Sequence, residues 1–305
     1  MASTFDYPAP PLPYYCDPQD LPGPLPTLEE IHGAEKVLPC MWSPEVKRIV
    51  VVRDLFVVKY GATPLYVDGN EGQALLVLRG VPTVPKLYAM YHQHGKLYLV
   101  MQHLPGTSLD GIWGGMSEGE KTDVIRQLRD ILTTVRSLSP PPVFGSVACG
   151  PVAQRFFKTP RKDSAITGPF ADEAAFHAAM GLNVEDEFLT RHLPLAMGRH
   201  KRVLTHGDLQ RKNILAVEAP PLSIHGQLGG CGDNNSYNTE PRRFIISGIV
   251  DWEEAGWMPS YWEFASIFMY ANWSDDWTYR FDQIVDAYVA EGSILMVVRR
   301  HFDGF

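Results

Sequence analysis

His206, Asp208 and Asn213 share one polar stretch, LTHGDLQRKNIL, with apolar residues on both sides. A second acid, Asp251, ends an apolar run further along, in IVDWEEAG. These residue types at these intervals suit transfer of a phosphoryl group. That reaction asks little covalent chemistry of a protein. It asks for an aligned hydroxyl, a clamped nucleotide and cations on the phosphate charge. Asp208 is the candidate catalytic base, placed to orient an acceptor hydroxyl and take its proton. Asn213 offers a carbonyl oxygen to magnesium from the same loop. Asp251 bridges magnesium to the phosphates, since hard cations prefer oxygen ligands. His206 braces the loop backbone rather than reacting. An isolated H-x-D is common and describes an ordinary polar turn. The extended pattern, with its apolar tail and a distant apolar-Asp-Trp-Glu, gives the assignment its weight.

The five-residue interval between Asp208 and Asn213 is that of kinase catalytic loops. The text H-G-D-L-Q-x-x-N-I-L followed by I-V-D-W-E resembles the aminoglycoside phosphotransferase and choline kinase superfamily. It is most similar to the broad fungal branch of that superfamily rather than to the antibiotic-resistance enzymes. Gly207 and the Trp252-Glu253 pair favour this family over protein kinases, and the similarity runs from about Arg48 to about Tyr288. The resemblance implies an α+β, bilobal, protein-kinase-like fold. A small N-terminal lobe with an antiparallel sheet plus a helix would precede a larger, mainly helical C-terminal lobe. It implies a small-molecule kinase that uses ATP, with GTP left open, together with Mg2+ and a small hydroxylated acceptor.

Other elements must carry the nucleotide. KRIVVVRDLFVVKY, residues 47–60, reads as two β-rich runs with Arg53-Asp54 at the turn. In the family reading this is the hairpin over the nucleotide, and Lys59 is its phosphate-binding lysine. Taken alone, a lysine at a strand end is ordinarily just solvated. No glycine-rich loop lies between these runs, so backbone donors to the phosphates are not legible. Residues 70–80 read as a helix capped by Asn70 and ended by Gly80. Glu71 would reach from it to hold Lys59 in the kinase-type ion pair; a first-turn glutamate is also favoured by the helix dipole alone. Residues 84–91 and 96–101 read as further strands with a His94-Gly95 turn. The stretch VMQHLPGTSLDGIW resembles a hinge, with the backbones of Gln102 and Leu104 as candidates for the adenine edge.

The remaining organisation follows from periodicity and breakers. Residues 1–26 are rich in proline and aromatics and should be extended or disordered. Thr27 is placed to cap a short helix to about Lys36. The first lobe then spans 27–103 and the second 104–305, with a flexible insertion at 218–243. Ser117 and Glu120 form a capping box for a helix over 117–138, whose apolar stripe is core. Helical patterns follow at 170–180, 187–197 and, with Trp277, Phe281, Ile284, Val285 and Tyr288 on one side, 276–290. Glu254, Glu263, Asp275 and Asp276 are candidates for an acidic acceptor cleft. Only seven residues separate Asp251 from Pro259, too few for a protein kinase's activation segment, which argues for a small acceptor.

Composition narrows the class. The net charge of −8 argues against a general nucleic-acid binder, and 45% hydrophobic content suits a globular protein. Cys16, Cys40, Cys149 and Cys231 show no CxxC or metal spacing and read as free thiols. No apolar run reaches membrane-spanning length, and no signal-like segment precedes Lys36. A cytoplasmic setting without membrane partners is expected. Oligomeric state is not legible. The alternative reading is a non-catalytic nucleotide-binding or scaffold protein on the same fold, motivated by the missing glycine loop.

Overall fold

The computed structural model describes residues 9–62, 68–159, 163–220, 242–269 and 274–303. Two lobes share the chain. The first is built on a five-stranded antiparallel sheet in the order β1-β4-β5-β3-β2. Its strands are β1 (Tyr14–Tyr15), β2 (Lys47–Val52), β3 (Phe56–Ala62), β4 (Leu87–Gln93) and β5 (Lys96–Gln102). Helix α1 (Leu28–His32) precedes β2, and α2 (Asn70–Val77) crosses from β3 to β4.

Strand alternation divides the sheet into two faces. Val50, Val52, Val58, Tyr60, Tyr98 and Val100 pack with Ile31 of α1 on the outer face. Leu87, Leu97, Leu99 and Met101 pack with Ala74 and Leu75 of α2 on the inner face, in a core that continues into the second lobe. The hairpins are set by backbone sterics. Arg53 and Asp54 both take positive φ between β2 and β3, as do His94 and Gly95 between β4 and β5. That is the left-handed pair whose twist matches paired strands.

The proline-rich stretch, described from residue 9, turns through a 3-10 helix at Pro18–Asp20 that Asp17 caps. Tyr14 and Tyr15, free of proline at their own nitrogens, pair with Met90 and Ala89 at the sheet edge. Cys16, Leu21 and Leu25 then cover the outer face. Helix α1 carries the expected Thr27 cap, which Glu30 completes as a capping box, but ends at His32 before Gly33, short of the expected Lys36.

The second lobe contains β6 (Thr107–Ser108), α3 (Leu109–Ile112), α4 (Glu118–Arg136), β7 (Gly145–Ser146), α5 (Ser164–Thr167), α6 (Glu173–Asn183) and α7 (Glu187–Ala196). It continues through β8 (Arg202–Thr205), β9 (Ile214–Glu218), β10 (Phe244–Ile249), β11 (Gly256–Pro259), α8 (Trp262–Met269), α9 (Phe281–Ile284) and α10 (Val289–Asp303). Helix α4 keeps its Ser117–Glu120 box and buries Val124, Ile125, Leu128, Leu132 and Val135. Residues 221–241, most of the expected insertion, lie outside the described residues.

One expected helix is broken. Residues 276–290 form a tight turn at Thr278–Arg280 and then the single turn of α9. Val285 turns extended, at φ −132° and ψ 160°. The apolar residues there are buried as their spacing suggests, but burial periodicity does not require a continuous helix. Arg129 reaches in and donates to the carbonyl of Gln283 at 3.2 Å. The long helix instead is α10, which seals a second core of Phe156, Phe157, Phe176, Tyr261 and Trp262 with Leu295 and Val298.

His177 lies fully buried in that aromatic core, with Nε2 2.8 Å from the Tyr261 hydroxyl and Nδ1 without a partner. Burial first, and His200 second, push its pKa down to about 4. The unfolded chain therefore takes up a proton near pH ~6.5 that the folded chain refuses, so this stability is complete above that pH and drains away toward pH 4. His177→Gln, measured by thermal unfolding against pH, should flatten the loss across this window relative to the natural chain. Parallel curves would show that His177 is not its source.

Candidate active site

The two chemistry-bearing turns are held by a double clasp. The chain runs from β8 through residues 206–213 into β9, and from β10 through residues 250–255 into β11. β8 pairs with β11, matching Thr205 with Gly256, and β9 pairs with β10, matching Ile214 with Ile249. Each turn is thus pinned at both ends to the other. Within the clasp, Val250 N–H donates to the Asn213 carbonyl at 2.9 Å. His206 Nε2 lies 2.9 Å from the Val250 carbonyl, and Asp208 N–H donates to His206 Nδ1 at 3.2 Å. With one nitrogen donating and the other accepting, the imidazole is the brace anticipated for it. Trp252 is fully buried, lies 4.6 Å from the His206 ring and donates its indole N–H to the Ile249 carbonyl.

Asp208 is fixed from several sides. Asn213 Nδ2 donates to its carbonyl at 2.9 Å and to Oδ2 at 3.0 Å, and Lys212 Nζ sits 3.2 Å from Oδ2. The Gln210 side chain also donates to Oδ1. Asn213 Oδ1 meets no partner among the described residues and remains available as a ligand. Asp251 takes a left-handed backbone, φ 65° and ψ 55°, an unusual conformation for a non-glycine residue and one that collects at functional sites.

Lys59 projects from the inner face of the sheet into three carboxylates. Its Nζ is 2.5 Å from Glu71 Oε2, 2.6 Å from Asp251 Oδ1 and 3.0 Å from Glu253 Oε2. Burial alone would lower its pKa; the three acids, Asp251 foremost, outweigh this and hold the ammonium well above its ordinary range. Burial pushes the Glu71 carboxyl up to about 7 against the pull of Lys59. Asp251 is only partly buried; that desolvation raises its carboxyl, but Lys59 outweighs it and brings it down to about 2. Three acids compete for the cations, and Glu71 is the one closest to taking a proton.

The profile of the phosphotransferase enzyme family, APH, matches residues 69–223, half of the chain, from the start of α2 past the 206–213 turn. The chain belongs to this family. It thereby falls in the aminoglycoside phosphotransferase and choline kinase superfamily. No curated protein matches the chain. Among solved structures, the streptomycin–ATP ternary complex of APH(2")-IIa is 14% identical, with 91% of this chain and 90% of that chain covered and a TM-score of 0.49. The gentamicin complex of APH(2")-IIa is 13% identical, with 88% and 80% covered and a TM-score of 0.45. ADP-bound APH(2'')-Ib is 12% identical, with 87% and 80% covered and a TM-score of 0.47. At these values the likenesses carry no argument about substrate.

For this phosphotransferase the structure brings Lys59, Glu71 and Asp251 into contact and sets Asn213 against Asp208. Gln102 ends β5; its N–H bonds the Lys86 carbonyl at 2.9 Å, so its amide is occupied. The Leu104 amide meets no partner among the described residues, and its side chain is buried. Glu253 belongs to the cluster but was not singled out as a site residue. Its signal was its place two residues after Asp251. Carboxylate oxygens of Glu71, Asp251 and Glu253 lie within 4.8 Å of one another, an oxygen-only set that suits a hard cation.

The proposed acidic cleft divides. Glu263 is buried and accepts the His206 and Gly207 amides at 2.6 and 3.3 Å, so it supports the loop from behind. Asp276 is taken by Trp113 and Lys121 at 2.8 and 2.7 Å. Asp275 meets Arg211 at 2.5 Å beside a cavity of about 210 Å³ that opens at Asp208 and is lined also by Gln210, Trp277 and Phe281. Glu254 stands next to the 206–213 turn, where burial first and the Asp208 charge second push its carboxyl up to about 8.

Asn70 does not cap α2, whose N-cap is Gly69 with no side-chain bond. Its amide instead crosses to the second lobe. Nδ2 donates to the carbonyls of Glu253 at 2.9 Å and Ala255 at 2.8 Å, and Oδ1 accepts from Val147 N–H at 3.2 Å. The Asp68 carboxylate takes the Asn70 N–H at 2.9 Å, as a cap would. Asn70→Ala leaves three buried backbone groups unpaired and should lower unfolding stability by about 2 kcal/mol or more. Chemical denaturation checks this; a change within about 0.5 kcal/mol would show that water replaces the amide.

Proposed function

We propose that this phosphotransferase moves the terminal phosphoryl group of ATP, with magnesium, to a hydroxyl of a small molecule. The observation that supports it best is the pairing of the turn that carries Asp208 and Asn213 with the turn that carries Asp251, whose carboxylate meets a lysine already held by Glu71. Asp208 accepts the proton of the acceptor hydroxyl as its oxygen bonds the terminal phosphorus. The bond from that phosphorus to the bridging oxygen breaks, and ADP leaves. Lys59 binds phosphate oxygens, oriented by Glu71. Asp251 and Asn213 would hold magnesium, which when bound supplies charge neutralisation on the phosphates. The Leu104 amide is free for an adenine edge, with the Gln102 carbonyl beside it.

The acceptor side agrees with a small substrate. From Asp251 the chain passes through the turn at Trp252–Glu254 straight into β11 and α8, with no segment to dock a protein substrate. The cavity at Asp208 offers both charge, from Asp275 and Arg211, and an apolar wall, from Trp277 and Phe281.

Asp208→Asn should lower transfer by about a hundredfold or more, as loss of a general base does, while the unfolding temperature still rises with magnesium and ATP. A phosphate-release screen across hydroxylated small molecules identifies the acceptor and provides the assay. Full activity in the variant would remove Asp208 as base. A natural chain that gains no magnesium-dependent stability from ATP would instead favour a non-catalytic scaffold, which the absence of a glycine-rich loop otherwise suggests.

A further inference from the structure

We propose that Lys47 is a second phosphate-binding cation, supplying by charge what a glycine-rich loop would supply by backbone N–H groups. The inference rests on the nucleotide-binding reading above. Three features of the first lobe carry it.

The first is position. The β2–β3 register sets Ile49 opposite Lys59 and Lys47 opposite Gly61. Residues two apart in a strand share a face, so Lys47 and Lys59 project from the same inner face. Both ammonium groups meet the same oxygen, Glu253 Oε2, Lys47 at 2.6 Å and Lys59 at 3.0 Å.

The second is burial. Lys47 is only 4% exposed, and lysines are rarely so enclosed without a charge to answer. It and Lys59 present two ammonium groups to the three carboxylates of Glu71, Asp251 and Glu253. With both lysines the ionised side chains sum to one negative charge, a smaller repulsion for a triphosphate than the two that Lys59 alone would leave. Without Lys47 it would meet three acids against one lysine.

The third is the chain that leads into β2. Residues 36–38 run along the free edge of that strand, with Leu38 N–H donating to the Ile49 carbonyl and Val51 N–H to the Lys36 carbonyl, both at 2.9 Å. Residues 39–46, PCMWSPEV, therefore form the loop of a preceding hairpin, and Lys47 closes it. This loop comes one hairpin earlier than the Arg53-Asp54 turn, and Lys47 at its end reaches the cluster through Glu253. It has no glycine, and Pro39 and Pro44 have no N–H to give. The amides of Val46 and Lys47 are taken by the Ser43 carbonyl at 3.0 and 3.1 Å. With the Glu45 amide given to Ser43 Oγ at 3.4 Å, backbone donation to phosphate oxygens falls to residues 40–43, none of them glycine. The Lys47 ammonium, with three donors on a flexible stem, can turn from Glu253 to a phosphate.

The experiment is calorimetric titration of the full chain with ATP and magnesium, and separately with AMP, which lacks the outer phosphates. Lys47→Met should weaken ATP about tenfold or more, the effect of losing a charged hydrogen bond, and leave AMP within about twofold. Lys47→Arg should keep most of the ATP affinity. Should Lys47→Met fail to fold, the double variant Lys47→Met, Glu253→Gln removes the stranded charge and is titrated in its place. Equal loss for both nucleotides, or none for either, would make Lys47 a counter-ion of Glu253 and overturn the assignment alone. A natural chain that binds AMP and ATP equally, or neither, would overturn the nucleotide-binding reading as well.

Discussion

The site depends on a closed circuit of backbone pairing. β8 with β11 and β9 with β10 bracket the two polar turns, so each turn begins and ends against the other. Each turn holds only one turn of 3-10 helix, Arg211–Asn213 and Trp252–Glu254, too little to satisfy all its peptide groups, and buried peptide groups demand partners. The partners come from within the circuit: the His206 ring for Asp208 N–H and the Val250 carbonyl, and the Glu263 carboxylate for two amides from behind. The acids proposed for the chemistry are thus positioned by groups with no part in it.

Closure between the lobes is carried by charge rather than by a large apolar interface at the cleft itself. Lys59 belongs to the sheet, Glu71 to α2, and Asp251 and Glu253 to the turn of the second lobe. Buried ion pairs add little net stability because desolvation offsets their attraction. Breaking one partner is costly nonetheless, since a charge is then stranded. Such a cluster fixes relative position more than it adds stability, which is what a cleft that must admit phosphate charge requires. Asn70 joins the same boundary with neutral bonds that do not depend on a ligand.

Much of this was legible in sequence, and the reasons differ by residue. His206, Asp208, Asn213 and Asp251 lie in short motifs whose spacing is itself the geometry, and the Lys59–Glu71 contact follows from strand-then-helix order. The register that sets Lys47 beside Lys59 was implicit once Arg53-Asp54 was taken as the turn, because strand parity then puts both on one face. A lysine at a strand start is ordinarily solvated, so residue type alone does not mark it. The role of Asn70 could not be read locally: an asparagine at a helix start is a good cap, and only the packed second lobe offers it better partners. The broken helix near α9 is of the same kind, since Trp277, Phe281 and Ile284 report which side is buried but not where the chain must turn.

Gly207 shows how little freedom the circuit leaves. It takes φ +84°, and a Cβ there would stand 2.6 Å from the Glu254 carbonyl oxygen. The residue between the bracing histidine and the proposed base is therefore in contact with the backbone that follows Asp251. Any side chain at 207 would push the two turns apart and carry Asp208 away from Asp251. It would also release Glu254, whose burial against Asp208 raises its carboxyl. A glycine in H-G-D is thus a distance constraint between two acids on separate turns. A residue permitted only ordinary φ could not meet it, whatever its chemistry.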